Sequence, residues 1–240
     1  MTKSSWGLTG NQLKLIALIT MTIDHVGAYL LPQYRILRII GRISMPIYAF
    51  LISEGCRHTR SKVKYFSLMA GLALICQLVY FFVLGSLEQC ILVTFSLSIL
   101  LIYALQYMQK RQDAWSCLVF LGMLGAVFLI SERLPVYLRG FSIDYGFKGI
   151  LLPVFFALGS SQQQKLTGGA VGLCYLAMGT RTQRYSLLAL IPLALYSGQR
   201  GKRGYKYLFY IYYPLHLVVI YGIRWVMEHT DLLLWIRQYL

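Results

Sequence analysis

Acidic side chains are scarce in this sequence: eight Asp and Glu stand against 23 Lys and Arg in 240 residues, a formal net charge of +15. Charged residues of both signs make up only 13%, where a soluble domain carries about a quarter. Hydrophobic residues make up 58%, more apolar surface than a soluble core of this length can hide. Cysteine is sparse and scattered, at Cys56, Cys76, Cys90, Cys117 and Cys174, with no CxxC pair. A disulfide framework and a cysteine-held metal are therefore not expected. No GxGxxG, GxxxxGK[ST] or HExxH motif is present and no serine sits in a nucleophile elbow, which removes the common nucleotide, zinc-protease and serine-hydrolase chemistries. No repeat or low-complexity tract is visible, and the GxxxG spacings are unremarkable.

The apolar residues instead fall in runs, several long enough to cross a bilayer, for which roughly 20 residues are needed. The runs lie at about 13–31, 36–55, 66–85, 89–107, 115–131, 146–160, 166–179, 185–198 and 207–227. The expected fold is an all-α integral membrane protein, a polytopic helical bundle of about nine transmembrane helices forming a single domain over residues 1–240. The first run lacks a small-residue cleavage site and carries Asp24 and His25, so it reads as a span rather than a signal peptide. The tail from Glu228 to Leu240 reads as a short interfacial helix.

The basic links fix an orientation. Arg57, Arg60, Lys62 and Lys64 follow the second run, Lys110 and Arg111 the fourth, and Arg200, Lys202, Arg203 and Lys206 the eighth. With nine spans all three links share one side, and the positive-inside rule makes that side, and the N-terminus, cytoplasmic. Arg181 and Arg184 fall outside, a mild violation. Basic residues split among loops suit anionic membrane lipids or a polyanionic substrate and fit no nucleic-acid partner.

A charge inside the bilayer costs a few kcal/mol on insertion scales, so intramembrane ionisable groups are informative. Asp24 and His25 sit in TMTIDHVGAYLLP. Neighbours on a helix point about 100° apart, so one can face a cavity while the other grips another helix. His25 is the best available general base, and Asp24 can orient an imidazole or hold a substrate amine. A purely structural clasp between helices is the competing role. Arg42, Glu54 and His58 lie in GRISMPIYAFLISEGCRHT. Arg42 calls for a carboxylate or phosphate, and Asp24 suits if the first two helices pack antiparallel. Glu54 and His58 share a face and, with Arg57, Arg60, Lys62 and Lys64, read either as the mouth of a pocket for an anionic cosubstrate or as an ordinary basic loop. Pro46 is expected to kink this helix. Asp144, Tyr145 and Lys148 open the sixth run, with Asp144 expected to cap the helix and pair with Lys148 four residues on. His216 follows Pro214 in YLFYIYYPLHLVVIYGIR among Tyr212, Tyr213 and Tyr221, whose hydroxyls can bond a substrate. Two chemistries remain: acyl transfer through a histidine, or proton- or ion-coupled transport by a small secondary transporter or flippase using Asp24, His25 and Arg42 as a relay. A scaffold subunit is a third reading.

The stretches GLTGNQLKLIALITMTIDHVGAYLLP and LRIIGRISMPIYAFLISEGCRHTRSKVKYF, with SIDYGFKGILLP and YIYYPLHLVVIYGIR later, resemble the TraX family, most specifically over residues 7–66. That family takes its name from a membrane protein needed for N-terminal acetylation of conjugative F-type pilin. It is similar to a wider superfamily of transmembrane acyltransferases that includes the bacterial acyltransferase type 3 proteins and the lysosomal heparan glucosaminide N-acetyltransferase. The resemblance implies a membrane-embedded acetyltransferase of the bacterial cytoplasmic membrane, with acetyl-CoA as cosubstrate and no metal. The acceptor it implies is a peptide N-terminus, a glycan or a lipid-linked molecule on the far side. It makes His25 the catalytic residue and Asp24 its companion. Arg42, Glu54, His58, Thr59 and Tyr65 match the GR…P…EG…HT block, Asp144, Tyr145 and Gly146 the DYG element, and His216 the PLH element. Arg42, Glu54, His58, Arg57, Arg60, Lys62 and Lys64 are expected to bind the cosubstrate, the last four through the CoA phosphates, and Asp144, Tyr145, Tyr213 and His216 to line the cavity.

Overall fold

A computed structural model describes residues 7–201 and 206–230, with the backbone alone at residues 83, 84 and 206–210. The chain is almost wholly helical, as its composition requires. In order, the elements are α1 (Gly10–Tyr29), α2 (Arg35–Gly41), α3 (Ser44–His58), α4 (Lys62–Leu84), β1 (Glu88–Gln89), α5 (Ile91–Arg111), α6 (Ala114–Phe128), a π-helical turn (Leu129–Arg133) and α7 (Leu134–Tyr137). Then come β2 (Ser142–Ile143), α8 (Gly146–Leu158), α9 (Gln162–Ala177), a 3-10 helix (Thr182–Ala189), α10 (Leu190–Ala194) and α11 (Lys206–His229). The two short strands pair in parallel, Glu88 with Ser142 and Gln89 with Ile143.

Local chemistry accounts for the breaks. Thr9 with Gln12, and Ser161 with Gln164, form capping boxes that start α1 and α9. The expected second span is one 24-residue apolar stretch, Arg35–His58, interrupted at Arg42 and Ile43. Pro46 supplies no N–H and its ring crowds the carbonyl four residues back, that of Arg42, so the expected kink is a break at that place. Asp144 does not cap α8. Tyr145 holds the cap position in the left-handed region (φ 60°), and Glu132 from the π-helical turn accepts the Phe147 N–H at 2.9 Å. Lys148 lies over the Tyr175 ring, its Nζ 5.3 Å from the centroid.

Among the described residues, four helical stretches are long and apolar enough to cross a membrane: Arg35–His58, Lys62–Phe82, Ile91–Arg111 and Ala114–Tyr137. The expected sixth span, α8, has 13 residues and measures about 20 Å, less than the roughly 30 Å of a hydrocarbon core. The expected interfacial tail lies outside the described residues from position 231 onward, as do Lys202 and Arg203 of the last basic link.

The chain divides into two compact units, residues 1–47 with 180–240, and residues 48–179. In the first, α1 packs on α2 and on α11, and the 3-10 helix packs on α2. The segment before α1 is tied down where Leu8 pairs with Tyr196. In the second, α5 lies at the centre against α4, α6 and α8, and α8 packs on α9. Nine of the 21 α5 residues are buried, whereas in α4 only Met69, Ala73 and Cys76 are buried among the described side chains. Thr94 and Ser98 of α5 donate to the carbonyls of Asp144 (2.7 Å) and Ile150 (2.8 Å), clamping α8 with hydroxyls that stay satisfied in an apolar interior.

Candidate functional site

In the first unit, the adjacent residues Asp24 and His25 of α1 face different neighbours. Asp24 turns to α2. Its Oδ1 accepts from Arg42 Nη2 at 2.7 Å and its Oδ2 from Arg38 Nη1 at 2.6 Å. Arg38 Nη1 also donates to the Asp24 carbonyl, and Arg42 Nη1 to Gln183 Oε1 of the 3-10 helix at 3.2 Å. Gly41 makes this approach possible, because a Cβ there would lie 2.2 Å from the Asp24 Cβ. The expected pairing of Asp24 with Arg42 is present. Arg38, one turn before Arg42 on the same face of the chain, joins it.

His25 turns to α11. Its Nδ1 lies 2.9 Å from His216 Nε2, and the His216 Nδ1 lies 3.0 Å from the Tyr212 carbonyl. These contacts determine the tautomers of the neutral pair. A carbonyl only accepts, so His216 carries its proton on Nδ1 and its Nε2 accepts. His25 must then donate from Nδ1, which leaves the His25 Nε2 as a lone pair. Aromatic rings enclose the two imidazoles. Tyr212 stacks on His216 (5.4 Å, 7°), Tyr213 meets it edge-on at 5.6 Å, Tyr29 stacks on His25 at 6.0 Å, and Tyr221 lies 5.0 Å from Tyr29. Tyr212 is held in turn by a 2.8 Å hydrogen bond between its hydroxyl and Thr22. The group that orients the His25 ring is thus His216. Asp24 is engaged with the two arginines.

In the second unit, Arg57, His58, Arg60, Lys62 and Lys64 are exposed and Glu54 is buried. Glu54 accepts from Lys165 Nζ of α9 at 2.6 Å, with both side chains 9% exposed, and His58 Nε2 lies 3.6 Å from its other oxygen. Glu54 is thus buried and paired with Lys165. The Arg57 guanidinium donates to the carbonyls of Gly159 and Ser160 and pins the turn between α8 and α9. A cavity of about 400 Å³ opens here, lined by Arg57, Thr59, Lys62, Gln106 and Gln109 among others. Tyr65 packs against Gly55, and Lys62 sits 4.9 Å from the centroid of the Tyr103 ring. Asp144 and Tyr145 lie at the start of α8 in this unit, with the Asp144 N–H donating to the Gln89 carbonyl at 3.1 Å. Among the described residues no cluster of three or more His, Cys, Asp or Glu is placed to hold a metal ion.

Sequence reasoning missed Arg38, Gln183 and Lys165. Arg38 had a signal, the four-residue spacing to Arg42. Gln183 and Lys165 had none, since their partners lie 141 and 111 positions away.

Comparison with known proteins gives two relatives. The "Probable fimbrial assembly protein FimC, serogroup H1" of Dichelobacter nodosus is 24% identical over 90% of this chain and 96% of its own length. An uncharacterised protein of Rickettsia prowazekii is 60% identical over 38 residues, 16% of this chain and 15% of that protein. No solved structure matches. The description "TraX protein" matches residues 9–224, which contain α1 to α10 and most of α11 with both histidines, and the chain belongs to the TraX family.

Proposed function

We propose that this protein is a membrane-embedded acetyltransferase that moves an acetyl group from acetyl-CoA to an amine or hydroxyl acceptor, with the His25 Nε2 as the reacting nitrogen. The observation that carries this is the chain from Tyr212 through His216 to His25, which holds the His25 ring by one nitrogen and leaves the other as a base or nucleophile. As a base, Nε2 takes the proton as the acceptor nitrogen or oxygen attacks the thioester carbonyl; the carbon–sulfur bond breaks, and the thiolate leaves with that proton. As a nucleophile, Nε2 bonds to the thioester carbonyl carbon, the carbon–sulfur bond breaks and the thiolate leaves; the acceptor then attacks the acetyl-imidazole, the carbon–nitrogen bond to Nε2 breaks, and the acceptor's proton passes to the freed imidazole or the thiolate. In either route the imidazolium can share its Nδ1 proton with His216. Arg42 and the tyrosine hydroxyls are the candidate donors to the developing oxyanion.

Lys62 lines the 400 Å³ cavity, and with the exposed Arg60 and Lys64 near it in the sequence it suits the CoA phosphates. The name of the Dichelobacter relative makes a subunit of a surface appendage the first acceptor to try. The test is incubation of the purified protein in detergent with labelled acetyl-CoA and an amine-terminated peptide. His25→Ala should lower transfer at least about 100-fold. Wild-type turnover in that variant would sink the assignment. Replacing Arg60, Lys62 and Lys64 together by Gln should raise the KM for acetyl-CoA about tenfold with little change in kcat; an unchanged KM would return the cluster to an ordinary basic loop.

A further inference from the structure

Two of the scattered cysteines meet in the second unit. Cys76 of α4 and Cys90, the cap residue of α5, are both buried, and their thiols are in hydrogen-bond contact. Cys76 ends the buried stripe of α4, Met69, Ala73 and Cys76 at helical spacing, which faces the helix on which α4 packs, α5. Gln77, the next residue, ties the two backbones together. Its Oε1 accepts the Cys90 N–H at 3.3 Å, and its Nε2 donates to the Glu88 carbonyl at 3.0 Å. On the other side β1 pairs with β2, the Gln89 carbonyl accepts the Asp144 N–H, and Thr94, one turn into α5, donates to the Asp144 carbonyl. The two sulfurs are thus held against each other by bonds on both flanks. They lie toward the end of α4 opposite to Lys62 and Lys64. The basic links make that end external, the side on which disulfides form and persist.

We propose that Cys76 and Cys90 are oxidised to a disulfide that fastens the outer end of α4 to α5. Both thiols give up their protons and one sulfur–sulfur bond forms. The two electrons pass to a disulfide of the external compartment, whose own sulfur–sulfur bond breaks and whose sulfurs take up the two protons. The exchange precedes packing, because the folded chain buries both sulfurs, and the same burial then shields the bond from reductants. Past Cys76 no described side chain of α4 is buried, so the bond anchors a helix end that packing holds weakly. It rests on the orientation read from the basic links and is independent of acetyl transfer.

The test is thiol trapping in cells that make the full chain. Cells are quenched in acid and denatured with N-ethylmaleimide, which blocks every free thiol. Reduction and a polyethylene-glycol maleimide then mark only the sulfurs that were in disulfides. Wild type should gain two adducts, and Cys76→Ala and Cys90→Ala should each lose that pair. An unreduced protease digest should hold the Cys76 and Cys90 peptides joined. No adducts on wild type, or both adducts kept in either variant, would overturn the bond. A reporter after Gly140 separates the causes: if it reads external and adducts are absent, the geometry fails, and if it reads cytoplasmic, the orientation fails with it. Wild type from cells grown with dithiothreitol should unfold about 5 °C below wild type from untreated cells, because the open loop regains entropy in the unfolded chain. The double variant Cys76→Ala with Cys90→Ala should not respond to the growth condition. Equal midpoints in the two wild-type preparations would overturn the fastening role.

Discussion

At the residue scale, Asp24, His25, Arg42, Glu54 and His216 each have a side-chain partner, and these pairings make different predictions. His25 makes one side-chain hydrogen bond and is half-buried, so His25→Ala should cost about 1 kcal/mol of stability while removing activity. His216→Phe keeps the ring stack but offers no acceptor to the His25 Nδ1. It should lower kcat about tenfold or more and leave the KM for acetyl-CoA unchanged; a wild-type kcat would show that the imidazole pair is only packing. Asp24→Asn removes the carboxylate that both guanidinium groups bond and should destabilise the protein by about 3 kcal/mol, read as a large fall in the unfolding midpoint in detergent. If it unfolds like wild type yet loses activity, Asp24 acts in the chemistry and the structural account fails. Asp24, His25, Arg42 and His216 could be singled out in the sequence because ionisable groups in apolar runs stand out. Their partners were only partly legible. Asp24 with Arg42 followed from antiparallel neighbours, while His25 with His216 joins positions 191 apart, and no local pattern carries that.

At the element scale, helix boundaries came from local chemistry and helix contacts from side-chain size. The break at Arg42 follows from Pro46 and was expected as a kink. The packing of α8 on α9 was not expected, because GxxxG spacings in an apolar sequence are common. The structure gives one of them a purpose. Gly168, Gly169 and Gly172 line the α9 face toward α8, where a Cβ at Gly169 would lie 1.9 Å from the Phe156 ring. Small residues let helix backbones approach closely where water exclusion offers no drive. Phe156 is fully buried and meets Phe50 edge-on at 5.4 Å, so it has little room to yield. Gly169→Val should therefore destabilise the second unit by about 2 kcal/mol or more, seen as earlier thermal unfolding. Gly122→Val in α6, where an added Cβ meets nothing, is the matched control and should be neutral.

At the scale of the whole molecule, the apolar surface and the charges agree on a membrane setting. Leu74, Ile75 and Phe82 of α4 and Trp115, Leu118 and Leu121 of α6 are exposed, which water would not tolerate over such an area. In the second unit, Arg57, Arg60, Lys62, Lys64, Lys110 and Arg111 lie at one set of helix ends. The other ends set Arg133, Arg139 and Lys148 against Glu88, Glu132 and Asp144. The positive-inside rule then predicts that a reporter fused after Gln112 reads cytoplasmic and one fused after Gly140 reads external. The reverse pattern would invert the orientation and move the proposed CoA face to the wrong compartment. What the sequence determined by itself was the helical class, the membrane setting, the family and the short set of ionisable residues worth naming, because composition, run length and solvation cost are local properties. What only the tertiary structure decided was the pairing: His216 and not Asp24 on the His25 ring, Lys165 on Glu54, and Gln183 on Arg42. Hydrogen bonds act over about 3 Å and join residues more than a hundred positions apart, so they exist only once the helices have packed.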